Sequence, residues 1–161
     1  MTRLHSLSVS VVRWFRNPSV VLPALIVGFV VFMQWPMLKG MGYTALGVTA
    51  PADTIPWRTD FAAALAESSK SGKPVLLDFS ASWCPPCQAM KHDVWPDPAV
   101  ERAVTAGYVP VFMDADSPAS QDAARRYHVD TIPRIIIVDS SGKVLKDGAY
   151  MSRQAMLDFL K

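Results

Sequence analysis

The longest apolar stretch of the chain runs from Val20 to Leu38, 19 residues without a charged side chain. A helix of this length spans about 28 Å, which is close to the hydrocarbon thickness of a bilayer. A buried helix of a soluble protein shows polar residues at helical spacing, whereas Gln34 is the only strongly polar residue here. The pattern therefore predicts a membrane anchor at residues 20–38.

Basic side chains mark one side of this stretch. Residues 1–19 contain Arg3, Arg13 and Arg16 and no acidic residue, and only Lys39 follows the stretch directly. The positive-inside rule then places the N-terminus in the cytoplasm and everything after Lys39 outside. A cleaved signal peptide is the alternative, because residues 45–47 resemble a cleavage site, but the apolar run exceeds the roughly 7 to 15 residues usual for one. We expect a retained, single-pass anchor.

Beyond the anchor, the pattern changes twice. Residues 39–54 are rich in glycine and lack periodicity, so they are predicted to form a flexible tether with a reach of about 20 Å. From Ile55 onward, segments typical of helices and strands alternate and end with a hairpin and a helix, with Thr59 as the N-cap of the first helix. This order predicts an α/β domain at residues 55–161, with a sheet covered on both faces. The predicted strands lie at 75–79, 109–113, 134–138 and 144–146, and the predicted helices at 60–71, 87–94, 98–105, 117–127 and after Ser152.

Composition and charge exclude several classes of protein. The 161 residues allow one ordinary domain with appendages. The net charge is +2, and 12 basic against 14 acidic side chains lie after Lys39, so we expect no nucleic-acid binding. Two cysteines allow at most one internal disulfide, which excludes a small disulfide-stapled fold. Thirteen prolines argue against a helical bundle.

Both cysteines lie in Trp83-Cys84-Pro85-Pro86-Cys87, where a predicted strand gives way to a predicted helix. A thiolate at a helix N-terminus is stabilised by the helix dipole and nearby backbone N–H groups, which lower its pKa. The two cysteines can close a small disulfide, so the first sulfur can attack a substrate disulfide and the second can resolve the mixed disulfide. Because proline supplies no N–H, we expect fewer donors to the attacking thiolate than a non-proline at position 85 would allow.

Asp78 lies six residues before Cys84, in a run that otherwise has the composition of a buried strand. Burial raises the pKa of a carboxyl group. Asp78 could then accept the proton of Cys87 as that thiol attacks the mixed disulfide. The alternative is that Asp78 is a solvated side chain at the edge of a sheet.

Thr131-Ile132-Pro133 precedes a predicted strand, where a proline is often ordinary punctuation. A cis Ile132–Pro133 bond would give it a further role, because a cis bond turns backbone groups toward a bound chain.

Two segments, VLLDFSASWCPPC and YHVDTIPRIIIVDSSGKV, resemble the active-site region and the later proline-containing segment of the thioredoxin superfamily. The resemblance covers residues 55–161 and implies a thioredoxin fold, a mixed central sheet flanked by helices. Within the superfamily, IPWRTDFAAALAESSKSGKPVLLDF followed by HDVWPDPAVERAV is most similar to the C-terminal domain of the DsbD family, membrane proteins that carry electrons to the bacterial periplasm. The Pro-Pro pair departs from that branch, so its reduction potential cannot be transferred.

The resemblance also implies the roles of individual residues. Cys84 would be the exposed attacking thiol, Cys87 the buried resolving thiol and Asp78 the proton acceptor. The residues expected to bind substrate share a position around the two cysteines: Trp83, Pro85, Pro86, Ile132 and Pro133.

Together these observations predict a thiol–disulfide oxidoreductase of the bacterial inner membrane, with its C-terminal domain in the periplasm. We expect it to reduce disulfides of exported proteins without a cofactor, and to receive electrons from another protein. A disulfide-introducing oxidase of the same fold is the first alternative. A Cu(I) carrier is the second, with both cysteines as soft ligands and a further ligand from His92 or His128.

Overall fold

The computed structural model describes residues 18–161, so most of the predicted basic segment at 1–19 lies outside the described residues. The described residues divide into two units with the boundary between Trp35 and Pro36. In the first unit, helix α1 (Pro18–Met33) has no charged residue, and Ser19 is its only polar side chain. Its large side chains, such as Leu25 and Phe32, are exposed.

A second helix, α2 (Trp35–Ala45), follows after a break at Gln34. Pro36 accounts for this break, because it has no backbone N–H to donate to the preceding turn. No single helix among the described residues is both long and apolar enough to cross a membrane, and Val21–Met33 and Trp35–Ala45 reach that standard only as a bent pair. The single continuous helix expected at residues 20–38 is therefore not what the structure shows.

Residues 39–45 differ from the flexible tether that the sequence predicted, because they belong to α2. The irregular segment begins only after Gly47 and extends to residue 57. Gly40 and Gly42 lie inside the helix, and Gly40 is buried. Glycine here permits a close helix contact that is described with the site below.

The second unit is built on a four-stranded mixed sheet with strand order β2-β1-β3-β4. The central strand β1 (Val75–Ser80) pairs in parallel with β2 (Val109–Asp114) and antiparallel with β3 (Arg134–Val138). Strand β4 (Val144–Gly148) forms the hairpin with β3. Each strand overlaps its predicted position, and the predicted α/β class is confirmed.

Five further helices complete this unit, and their starts follow local capping signals. They are α3 (Phe61–Ser71), α4 (Pro85–Asp93), α5 (Pro98–Gly107), α6 (Pro118–Arg126) and α7 (Arg153–Phe159). Helix α3 is capped by Asp60, whose side chain accepts from the Ala63 N–H, and not by Thr59 as predicted. Helix α4 begins two residues earlier than predicted, because proline at the first helical positions removes only N–H groups that have no partner within the helix.

The two faces of the sheet bury different clusters of side chains. On one face, Leu76, Ile135 and Ile137 pack against α4, α5 and α7. On the other face, Leu77 and Phe79 pack against residues of α3 and α6. Because side chains alternate along a strand, Asp78 lies on the same face as Leu76, toward α4.

Candidate functional site

Cys84 and Cys87 are joined by a disulfide across the first turn of α4. Cys84 is the N-cap of this helix, and its Sγ atom accepts from the Cys87 backbone N–H at 3.3 Å. An N-cap side chain normally accepts from the second or third helical residue. Here the second is Pro86, which has no N–H. The sequence analysis attributed the lost donor to position 85, whereas the usual donor position that proline occupies in the structure is 86.

Both cysteines are buried, with exposed fractions of 3% for Cys84 and 2% for Cys87. The exposure that the resemblance implied for Cys84 is not seen. Ala81, Ala115 and Ile132 pack around the disulfide. Access to the Cys84 sulfur is thus limited by its surroundings.

Asp78 lies at the middle of the sheet, since β1 has a neighbouring strand on each side. This placement excludes the alternative of a solvated carboxylate at a sheet edge. Asp78 is 3% exposed, and it is the only buried charged side chain among residues 18–161. Burial raises the pKa of Asp78 to about 7, with a smaller upward contribution from the charge of Asp53, while a hydrogen bond from Trp95 opposes the shift.

A cavity of about 280 Å³ lies beside Asp78, and several of the other residues that line it were not selected by the sequence analysis. Lys91 lies in α4, and Trp95 follows the end of that helix. Asp53 and Trp57 lie in the irregular segment before α3. The Trp57 indole donates to Asp53 at 3.0 Å and meets Trp95 edge to face. The rings of these two tryptophans form part of the wall of the cavity beside the Asp78 carboxyl.

The residues expected to bind a partner lie close to Cys84. The Ile132–Pro133 bond is cis, and the Ile132 carbonyl oxygen lies 3.7 Å from the Cys84 sulfur. Trp83 is 62% exposed, and its indole N–H is held by the Asp116 carboxylate. Ile132 is half-buried and Pro133 is buried. Trp83 therefore presents the largest apolar surface beside the disulfide.

Helix α2 contacts α4, the helix that begins at the disulfide, and no sequence signal predicted this contact. Gly40 packs directly on the Pro85 backbone, and a Cβ at position 40 would overlap the Pro85 carbonyl. Tyr43 donates to the Asp93 carboxylate at 2.9 Å and stacks on His92 with ring centroids 4.0 Å apart. His92 is consequently half-buried by an aromatic neighbour.

Metal-ligating side chains do not gather elsewhere in the part of the chain that the structure describes. Within residues 18–161 there is no group of three or more His, Cys, Asp or Glu side chains placed to hold a metal ion. The chemistry available at this site is that of a dithiol–disulfide pair at a helix N-terminus, with a buried carboxyl of raised pKa on the neighbouring strand.

Comparison with known proteins gives consistent matches to the second unit. A family model described as thioredoxin-like matches residues 56–140. The thiol:disulfide interchange protein DsbD 1 of Pseudomonas aeruginosa is 36% identical over 86 residues, which are 53% of this chain and 15% of that protein. The chain therefore spans only a small part of this relative.

Solved structures give the same result. A thioredoxin from Thermus thermophilus aligns with a TM-score of 0.59 and 30% identity, over 66% of this chain and 85% of that chain. The oxidised C-terminal domain of DsbD from Neisseria meningitidis aligns with a TM-score of 0.50 and 25% identity, over 63% of this chain and 94% of that chain.

Proposed function

The chain belongs to the thioredoxin-like family, and on this premise we propose that it is a thiol–disulfide oxidoreductase. One observation carries the proposal: the Cys84–Cys87 disulfide closes the first turn of α4, on the face of the sheet where Asp78 is buried. A dithiol–disulfide pair placed in this way can exchange two electrons with another disulfide.

In the reducing direction, the Cys84 thiolate attacks one sulfur of a substrate disulfide. The substrate S–S bond breaks, its second sulfur leaves as a thiolate that takes up a proton, and Cys84 is joined to the substrate by a mixed disulfide. The Cys87 N–H that reaches the Cys84 sulfur stabilises the thiolate before the attack.

Cys87 then resolves the mixed disulfide. Its thiol gives its proton to Asp78, and the sulfur attacks Cys84. The bond between Cys84 and the substrate breaks, and the substrate leaves as a second thiol after taking up a proton. The substrate has gained two electrons and two protons, and the Cys84–Cys87 disulfide is restored. A pKa of about 7 suits Asp78 to this step, because the group can both accept and release a proton near neutral pH.

The substrates we propose are disulfides of exported proteins, contacted through Trp83, Ile132 and the Pro85-Pro86 pair. Each cycle leaves the cysteines oxidised, so a second protein must return two electrons by attacking this disulfide with its own dithiol. We propose that residues 20–38 anchor the chain in the bacterial inner membrane, with residues 55–161 in the periplasm. The charge-free sequence and the exposed apolar side chains of α1 support this placement.

Trapping the mixed disulfide tests the proposal. Reduced Cys87→Ser chain, mixed with a protein that contains disulfides such as insulin, is expected to accumulate a covalent adduct that dithiothreitol releases. Reduced Cys84→Ser chain is the matched control, because it keeps one thiol at the same turn, and it is expected to form no adduct. An adduct with Cys84→Ser alone would reverse the two roles, and an adduct with neither variant would overturn the proposed function.

A further inference from the structure

The contact between α2 and α4 extends along the whole active-site helix. Gly40 contacts Pro85 at the first turn, and Tyr43 contacts His92 and Asp93 at the last. Lys39 forms an ion pair with Asp93. One turn of α2 therefore touches both ends of α4.

The contact is specific in chemistry as well as in shape. Asp93 receives a hydrogen bond from the Tyr43 hydroxyl and the charge of Lys39, and it is only partly exposed. Hydrogen bonds to a charged group are among the stronger ones in proteins. Gly40 is buried, and any side chain at that position would collide with backbone that cannot move aside without deforming α4. Residues 39–43 thus complement this face of α4 in two ways: Lys39 and Tyr43 bind the Asp93 carboxylate, and Gly40 fits closely against the Pro85 backbone.

The position of this contact bears on access to the redox pair. Pro85 directly follows Cys84, so Gly40 covers α4 one residue from the attacking sulfur. Cys84 is 3% exposed, because Ala81, Ala115 and Ile132 pack around the disulfide, and α2 lies on the backbone of the next residue, Pro85. A nucleophilic cysteine must be reached by a disulfide of another protein, and the present arrangement leaves it little room.

We propose that residues 39–45 form a cover on the active-site helix, and that partner proteins reach Cys84 fully only when this segment leaves α4. The occupant of this face of α4 is thus a segment of the same chain. This inference rests on the proposed exchange at Cys84. It also gives residues 39–45, which directly follow the proposed anchor, a second role. While they are docked on α4, the domain is attached directly after residue 38, without a flexible tether.

Two measurements on the full chain in detergent test the cover: hydrogen exchange of the α2 amides, and the alkylation rate of Cys84 by iodoacetamide at fixed pH in a Cys87→Ser background. Gly40→Leu should release α2, because the new side chain overlaps Pro85. Leucine favours a helix more than glycine does, but a free helix of 11 residues is only marginally stable in water, so the amides of a released α2 should exchange faster. We expect Gly40→Leu to raise both the exchange of residues 39–45 and the alkylation of Cys84 by about tenfold. The amides of β1 should stay protected, which shows that the domain remains folded.

Met41→Leu is the matched control, since it places leucine at an exposed position of the same helix. It should leave both rates within about twofold of the parent chain. Tyr43→Phe provides a second variant that keeps the ring and removes only the donor to Asp93, and it should raise both rates by a smaller factor than Gly40→Leu.

Two results would overturn the cover. Rapid exchange of residues 39–45 in the parent chain would show that α2 is not docked. Release of α2 by Gly40→Leu without faster alkylation of Cys84 would show that docking does not limit access. Neither result depends on turnover, so failure of the proposed exchange would be seen separately, in the trapping experiment.

Discussion

The two faces of strand β1 differ in kind although they alternate residue by residue. Leu77 and Phe79 point to a face where the surrounding side chains are apolar. Leu76 and Asp78 point to the face that carries α4, the disulfide and the cavity beside Asp78. The face with Leu77 and Phe79 is filled by apolar side chains. The face with Leu76 and Asp78 contains a buried carboxyl group with a cavity beside it. The comparison indicates that stability and chemistry can be changed separately by substituting neighbouring residues.

The largest expected effect tests the apolar face. Phe79 is 1% exposed, and Phe79→Ala leaves a void that the packed neighbours cannot fill. We expect the free energy of unfolding to fall by about 3–5 kcal/mol. Urea unfolding of the oxidised chain, followed by tryptophan fluorescence, measures this change.

The reactivity of Cys84 should not change in the Phe79→Ala variant. In the folded Phe79→Ala protein with Cys87→Ser, the alkylation rate of Cys84 should stay within about twofold of the rate in the Cys87→Ser chain, because Phe79 lies on the opposite face. A much larger change in that rate would mean that the two faces are coupled, and the comparison between them would fail.

Asp78→Asn tests the other face through pH. The pKa of Asp78 is raised in the folded chain to about 7 by burial, above the ordinary value of 3.8 that applies when the chain is unfolded. Between these values the folded state holds a proton that the unfolded state has lost, so stability falls as pH rises. Relative to Asp78→Asn, the parent chain should lose about 1.4 kcal/mol of unfolding free energy per pH unit between pH 4 and 7, and no more above pH 7.

The same variant should slow the resolving step. Without the carboxylate to accept the Cys87 proton, decay of a preformed mixed disulfide is expected to slow by about a hundredfold at pH 7. Parallel stability curves for parent and variant, together with an unchanged decay rate, would remove Asp78 from the mechanism.

The smallest expected effect is at the N-terminus of α4, which lies on the same face of the sheet as Asp78. Pro86→Ala restores an N–H at the second helical position, where it can donate to the Cys84 thiolate. Because this stabilises the reduced form, the reduction potential should rise by about 30 mV. Pro85→Ala is the control, since the first helical N–H is not the usual donor to an N-cap. Equal shifts in both variants would point to loop stiffness and not to the donor.

Most of the fold could be predicted because its signals are local. The β3 range agrees with the predicted residues 134–138, and α3 ends at Ser71 as predicted, where Gly72 takes the left-handed conformation that glycine adopts readily. The prolines after Asp97 and Ser117 mark the starts of α5 and α6. The N-cap of α3 was misplaced by one residue because Thr59 and Asp60 are both capping types.

The remaining features depend on contacts between distant parts of the chain. Tyr43 and Asp93 are 50 residues apart, and nothing near Gly40 in the sequence shows that it lies against Pro85. The burial of Cys84 and the hydrogen bond from Trp95 to Asp78 likewise follow from packing. The cysteines and the carboxyl could be identified by type and spacing, whereas the residues that control access to them could not.

The reduction potential of the Cys84–Cys87 pair in the full chain, measured by equilibration with glutathione, tests the central claim most directly. A reductant of exported proteins should have a value more negative than about −230 mV, as thioredoxin has. A value near −120 mV would contradict the account, because the chain would then introduce disulfides and electrons would flow in the opposite direction.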